Sequence, residues 1–154
     1  MIRFLKSFYY AFKGILFQLQ YERNFRIHCF AAIAVIFLGA RFYSFNSLEW
    51  GILVLEISLV FTAESINTAL EQLCNAVTVE RNQKICRAKD AGAGAVLCLA
   101  VGAIALAYHL FWDKAVFAAI YEWLKAPFHL AAVILYFAIA LLFIFGKITY
   151  KKDR

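Results

Sequence analysis

The sequence lacks the C-x-x-C spacing that is typical of zinc sites, although it contains four cysteines, at positions 29, 74, 86 and 98. Most of these cysteines lie in or beside apolar stretches. Neither a zinc site nor a disulfide framework is therefore favoured, and we interpret the cysteines as small apolar residues. A secretory signal is not expected either, because the first 25 residues alternate charged and aromatic positions without an unbroken apolar core.

Polar residues are too few for a water-soluble protein. Of the 154 residues, 64% are hydrophobic, and the mean hydropathy of +0.72 implies more apolar surface than a domain of this length can bury. Four stretches approach or exceed the length of about 20 residues that a membrane-spanning helix needs: 27–45, 50–73, 91–112 and 128–146. The last two contain no charged residue, and the single proline, Pro127, precedes the fourth, where it can begin a helix.

Basic residues are distributed unevenly around these stretches. Thirteen of the sixteen lysines and arginines lie before the first stretch or near its start, between the second and third, or after the fourth. Arg41, Lys114 and Lys125 fall on the other side. The positive-inside rule predicts that both termini are cytoplasmic, in a multi-pass protein of a bacterial inner membrane. We interpret the net charge of +6 as topology and contact with anionic lipid, and no nucleic-acid partner is expected.

Residues 3–25 have the periodicity of an amphipathic helix. Five apolar side chains fall within roughly 80° of one another on a helical wheel: Phe4, Phe8, Phe12, Ile15 and Leu19. Lys6 and Lys13 lie opposite them. The pattern predicts a helix lying on a membrane surface. The alternative, in which the polar edge of this helix helps to form a site, stays open.

The second apolar stretch and the two residues after it contain three carboxylates and two amides: Glu56, Glu64, Asn67, Glu71 and Asn75. An ionised carboxylate at mid-bilayer costs about 2.5–3.5 kcal/mol on insertion scales, so these residues need a compensating role. The four from Glu64 to Asn75 lie within roughly 80° on a helical wheel and form one stripe, which indicates a functional site. The alternative is that the carboxylates pair with basic residues or stay protonated and only hold a bundle together, and we prefer it for Glu56 alone.

Glu64 and Glu71 lie about 10.5 Å apart along a helix, and this separation indicates two different roles. Glu71, nearer the cytoplasmic face, can hold Mg²⁺, which usually takes one or two carboxylates plus substrate phosphates. The deeper Glu64 can accept a proton from a lipid hydroxyl. Glu22, Lys89 and Asp90 lie at the same side of the membrane, and we expect them to converge there if the helices bundle.

A run of small residues, AGAGA at 91–95, follows a short charged link between the second and third stretches. Small residues let helix backbones approach closely. We therefore interpret Gly92 and Gly94 as packing positions, because a phosphate-binding loop would need its other signature residues too.

With these residues in view, the segment AESINTALEQLCNAV at 63–77 resembles the signature E-x-x-N-x-A-x-E of the prokaryotic diacylglycerol kinase and undecaprenol kinase family. Three further segments resemble the same family: ERNFRIH at 22–28, AKDAGAGAV at 88–96 and the pair Lys13-Gly14. The resemblance covers about residues 3 to 112. It implies a lipid kinase that transfers phosphate from MgATP to undecaprenol or diacylglycerol, working as a homotrimer.

The resemblance also implies residue roles. Glu64 is similar to the catalytic base of the family, and Asn67 to a structural or substrate-orienting partner of that base. Glu22 and Glu71 match the ligands of the magnesium that accompanies ATP. The nucleotide contacts that it implies are Lys89 and Asp90, together with Arg3 and Tyr10 on the surface helix.

The chain departs from the family pattern in four places. Asn75 replaces the usual aspartate, the segment ERNQKIC at 80–86 lacks a histidine that is often found there, and Glu56 is an addition. The fourth departure is the stretch 128–146, because the family has three spans. The expected fold is an all-α integral membrane protein with a surface helix (1–26), a three-span kinase core (27–112), and a linker, fourth span and basic tail (113–154).

Two other classes of function stay open. A small proton-coupled transporter also fits four spans with an intramembrane glutamate, Glu56 or Glu64, but it gives Glu22, Lys89 and Asp90 no reason to gather on one side. A non-catalytic membrane scaffold would tolerate alanine along the whole stripe. Between the two lipid substrates, the ERNFRIH segment slightly favours undecaprenol.

Overall fold

The computed structural model describes residues 2–77 and 82–146. Within these ranges the chain is all-helical, with no strand, as expected. The six helices are α1 (Ile2–Tyr21), α2 (Arg23–Phe42), α3 (Ser47–Val77), α4 (Gln83–Phe111), α5 (Lys114–Leu124) and α6 (Pro127–Phe145).

Four of the described helices, α2, α3, α4 and α6, are long and apolar enough to cross a membrane, which confirms the number of predicted spans. Their bounds differ from the hydropathy boundaries. α2 starts at Arg23, four residues before the first apolar stretch, because the chain is extended at Glu22 and helical immediately after it. α3 has 31 residues, or about 46 Å at 1.5 Å per residue, whereas a hydrocarbon core is about 30 Å thick. One or both ends of α3 therefore extend beyond that core.

Side-chain caps fix where three helices begin. The Asn46 side chain accepts hydrogen bonds from the backbone amides of Leu48 (2.9 Å) and Glu49 (3.0 Å), while the Glu49 carboxylate accepts one from the Asn46 amide (2.7 Å), a reciprocal capping arrangement. Asn82 caps α4 through the amide of Lys84 at 2.9 Å. Asp113 caps α5, a helix within the segment that the sequence analysis assigned to a linker.

Helices α3 and α4 form the most extensive pair, and α2 packs against α3. α1 packs against α2 and α3, whereas α6 packs on α2 and α5. The placement of α1 on a membrane surface stays a prediction. Much of the apolar surface is exposed in the single chain, as Ile104, Phe128 and Leu142 illustrate, which fits helices surrounded by lipid or other apolar segments.

Aromatic residues join the ends of α2, α3 and α4 that lie away from Glu22. The rings of Tyr43, Phe45 and Phe111 are in mutual contact, with centroids 5.0–5.3 Å apart, and the Tyr43 hydroxyl donates to the Phe111 carbonyl at 2.5 Å. A β-carbon on Gly39 would lie 2.9 Å from the Phe45 ring, so glycine permits this approach. Aromatic residues are typical of a membrane interface.

Candidate functional site

Glu22 stands at the corner between α1 and α2. Its backbone is extended (φ −100°, ψ 110°), its amide donates to the Gln18 carbonyl at 2.8 Å, and its carbonyl accepts from the Arg26 amide at 3.2 Å. Glu22 is thus the single residue that connects the end of α1 to the start of α2. This corner places the half-buried carboxylate at the same end of the bundle as the last turns of α3.

Three carboxylates converge at this end of the bundle. The pKa of Glu22 is raised above its usual value, first by burial and then by repulsion from the nearby carboxylates of Glu71 and Glu64, while the Arg26 guanidinium opposes the shift. A carboxylate feels other carboxylates in this way only when they are close. The fold therefore brings Glu22 near Glu64 and Glu71, which lie more than 40 residues away from it in the sequence.

Glu64 is almost completely enclosed, with 2% of its surface exposed. Its Oε1 atom lies 3.2 Å from the Nε2 atom of His28 on α2. This contact is not a hydrogen bond, and among the described residues Oε1 is buried without a hydrogen-bond partner. An enclosed carboxylate oxygen with a free lone pair is suited to accept a proton from a bound hydroxyl group.

Asn67 lies one turn along α3 from Glu64 and faces α4. A β-carbon on Gly92 would lie only 2.6 Å from the Oδ1 atom of Asn67, so the glycine lets the two helices approach at this point. Within residues 2–77 and 82–146, Oδ1 is also buried without a hydrogen-bond partner. Gly94, by contrast, faces open space. The packing role expected for the small-residue run is therefore carried by Gly92 and not by Gly94.

Lys89 reaches from α4 to the end of the stripe on α3. Its Nζ atom donates to the Asn75 Oδ1 atom at 2.6 Å, in the position where the family resemblance leads one to expect an aspartate. Asp90 is exposed beside it. The ammonium group of Lys89 therefore lies near the open end of the site, where a phosphate group could approach it.

Two predicted site residues are not joined to this cluster by a described contact. Arg3 and Tyr10 are exposed on α1, and the Tyr10 ring contacts that of Tyr9 at 5.5 Å. Their role as nucleotide contacts stays a prediction. The first two residues of the segment 80–86, in which the family histidine is missing, lie outside the described residues.

Below His28, an apolar cavity of about 110 Å³ lies between α2, α3 and α4. Glu56 lines it, and the Oε1 atom of Glu56 is buried with no hydrogen-bond partner among the residues that the structure describes. From the sequence alone, Glu56 is an addition to the family pattern and His28 has no role of its own. The contact between His28 and Glu64 joins two different helices, so it could not be predicted from spacing within one helix. The only sequence signal for His28 was its place in the ERNFRIH segment.

The carboxylates of Glu22 and Glu71 are oxygen donors of the kind that Mg²⁺ prefers. Among the described residues, no group of three or more histidine, cysteine, aspartate or glutamate side chains is arranged to hold a metal by itself. Mg²⁺ usually needs only one or two carboxylates because substrate phosphates and water complete its shell. Glu22 and Glu71 fit this requirement.

Comparison with known proteins agrees with the family resemblance. The family model described as prokaryotic diacylglycerol kinase matches residues 9–111. An undecaprenol kinase of Bacillus subtilis is 38% identical over 112 residues, which cover 73% of this chain and 90% of the relative. A diacylglycerol kinase of Synechocystis is 37% identical over 101 residues, which cover 65% of this chain and 57% of the relative. No solved structure matches.

Proposed function

The chain belongs to the prokaryotic diacylglycerol kinase family and is a membrane lipid kinase, and we propose that it transfers the γ-phosphate of MgATP to the hydroxyl group of undecaprenol, with Glu64 as the general base. The observation that carries this proposal is the enclosed Glu64 carboxylate, whose Oε1 atom has no hydrogen-bond partner in the described part of the chain. A general base must offer a free lone pair to the proton that it removes.

Each remaining residue has a distinct task in the proposed reaction. Glu22 and Glu71 hold the magnesium, which when bound neutralises the charge of the nucleotide phosphates. As Glu64 takes the proton, the lipid oxygen bonds to the γ-phosphorus and the bond to the leaving ADP breaks. Asn67, enclosed beside Gly92, orients the base or the lipid hydroxyl group.

The nucleotide is held by four further residues at the open end of the site and on α1: Lys89, Asp90, Arg3 and Tyr10. The positively charged ammonium group of Lys89 attracts the phosphate groups. We also propose that the protein lies in the inner membrane with both termini in the cytoplasm, where ATP is available. Its proposed assembly is a homotrimer.

The choice of undecaprenol over diacylglycerol rests on two observations. The ERNFRIH segment favours undecaprenol kinases, and the Bacillus subtilis relative that carries this name aligns over 90% of its length, against 57% for the diacylglycerol kinase of Synechocystis. A competition assay with equal amounts of the two lipids in mixed micelles tests it. Preferential labelling of diacylglycerol would contradict this choice of substrate while leaving the kinase assignment intact.

The mechanism is tested with purified protein in mixed micelles containing undecaprenol, Mg²⁺ and labelled ATP. We expect Glu64→Gln to reduce labelling by at least about 100-fold, the lower range of general base catalysis. Glu56→Gln makes the same chemical change two turns away on the same helix and is expected to label at nearly the wild-type rate. Equal losses in the two variants, or unchanged labelling by Glu64→Gln, would rule out Glu64 as the base.

A further inference from the structure

His28 contacts Glu64 from the neighbouring helix. Among the described residues, it is the one basic side chain within ion-pair distance of a Glu64 oxygen, with 3.2 Å between Nε2 and Oε1. The side chain of His28 is 22% exposed, against 3% for that of Glu64. The imidazole thus covers the carboxylate on one side and is itself reached from outside the bundle.

The surroundings of His28 are otherwise apolar. The cavity that His28 borders is lined from α4 by Ala103, Ala107 and Phe111, which carry no titratable group. From α3, Glu56 lines the same cavity and Glu64 lies in direct contact. An imidazole N–H in such surroundings has few alternatives to a carboxylate oxygen as its acceptor.

We propose that His28 is a positioning residue for Glu64, whose carboxylate it orients toward the lipid hydroxyl group by donating from Nε2. This inference rests on the proposed role of Glu64 as the base. A modest rotation of either side chain would turn the 3.2 Å contact into a hydrogen bond. One Glu64 lone pair would then be fixed by the imidazole, which leaves the others for the proton of the substrate.

In the reaction His28 keeps its proton throughout. The lipid O–H bond breaks as its proton passes to Glu64, the new O–P bond forms, and the bond between the γ-phosphorus and ADP breaks. His28 therefore acts through Glu64 and need not touch the lipid. Its loss would impair the chemical step more than the binding of either substrate.

The contact itself is tested without an activity measurement. The chain has three histidines, and their rings can be labelled with ¹⁵N in the full-length protein in micelles. The ring signals that disappear in His28→Gln are those of His28. We expect Glu64→Gln to shift the Nε2 signal of His28, and Glu56→Gln to shift it less. An unchanged His28 signal in Glu64→Gln would overturn the proposal.

Kinetics then test whether the donated hydrogen bond is what matters. His28→Leu keeps an apolar side chain but removes the donor, whereas His28→Gln retains an N–H group near the position of Nε2. We expect kcat to fall about 10- to 100-fold in His28→Leu with both KM values changed less than about two-fold, and His28→Gln to recover most of it.

The outcomes separate this inference from the proposed function. Suppose that the wild type labels lipid. If His28→Leu then keeps the wild-type kcat, or if His28→Gln is as impaired as His28→Leu, the positioning role is wrong but the proposed lipid kinase function is unaffected. If the wild type labels no lipid while the ¹⁵N signal responds to Glu64→Gln, the contact is real but the proposed function fails. His109→Gln, at the far end of α4, serves as the control for a general effect of losing a histidine.

Discussion

At Gly92 the absence of a side chain positions a functional group on another helix. A β-carbon there would come within 2.6 Å of the Asn67 Oδ1 atom, and Asn67 is only 9% exposed. The amide therefore has little room to turn away without disturbing its neighbours. In a packed interface such overpacking typically costs about 1–3 kcal/mol.

Gly92→Ala should therefore damage activity more than a simple packing defect would. We expect kcat to fall about ten-fold or more, with a loss of at most about 3 kcal/mol in the free energy of unfolding, because the displaced group is the proposed partner of the base. Gly94→Ala, which faces open space, is the matched control. Labelling assays and thermal unfolding in the same detergent measure both effects, and equal behaviour of the two variants would contradict the close contact.

The electrostatic coupling of Glu22 to Glu71 gives a second prediction. Because Glu71 helps to raise the pKa of Glu22 through like-charge repulsion, Glu71→Gln should move the titration of the Glu22 carboxyl group to lower pH. The measurement is a ¹³C titration of labelled glutamates in metal-free protein. Glu56→Gln is the control and should leave the Glu22 titration in place. If the pKa of Glu22 is the same in Glu71→Gln as in the wild type, the two carboxylates are not neighbours.

The site was partly predictable at this scale because helical periodicity is local. The positions of Glu64, Asn67 and Glu71 on one face follow from their spacing alone. The contact of Glu64 with His28 does not, since it depends on how α2 rotates against α3. The same holds for Gly92, where the sequence suggested close packing but could not say which glycine meets which side chain.

Among the helices, α6 is fixed to α2 at its C-terminal end. Arg26, a buried residue, donates from Nη1 to the Phe143 carbonyl at 2.5 Å and reaches the Gly146 carbonyl at 3.5 Å. These carbonyls belong to the end of a helix, where a positive charge is favourable. Further along the pair, the Tyr136 hydroxyl donates to the Phe30 carbonyl. The added span is therefore joined to the helix that carries His28.

Removing the guanidinium should loosen this attachment. Arg26→Ala is expected to lower the free energy of unfolding by about 2–3 kcal/mol, since hydrogen bonds to charged groups contribute about 1.5–3 kcal/mol. Among the described residues, Arg23→Ala loses an exposed cation–π contact with Phe145, for which about 0.5–1 kcal/mol is typical. Thermal unfolding compares the two, and hydrogen exchange should rise in the last turn of α6 in Arg26→Ala alone. Equal destabilisation would argue against the cap.

Helix α5 shows where hydropathy is insufficient at the scale of elements. Its 11 residues are too few to cross a membrane, and a helix of that length is marginal in isolation. Contacts with other elements hold it: the Trp123 ring meets Phe42 at 5.5 Å and stacks on His129 at 4.1 Å. These partners belong to α2 and α6. Without knowledge of that packing, the segment was described only as a linker.

At the scale of the whole molecule, much of the helical surface meets no other part of the described chain. α4 has no buried residue, although it forms the largest interface with α3. Hydropathy therefore predicted the number of spans, because each helix must satisfy the bilayer by itself. It could not predict which spans pack together, since lipid-facing and helix-facing surfaces are similarly apolar.

The orientation of the whole chain is predicted from its basic residues and can be tested at two positions, one near each end of α4. Lys84, near the start of α4, is predicted to be cytoplasmic, and Lys114, just beyond its end, to face outward; both are exposed. With the four native cysteines replaced by serine, Lys114→Cys should react with a membrane-impermeant maleimide in intact spheroplasts. Lys84→Cys should react only after permeabilisation, and the cysteine-free chain should not react. Labelling of Lys84→Cys in sealed spheroplasts would place the carboxylate site on the side without ATP, so the predicted topology and the proposed reaction would fail together.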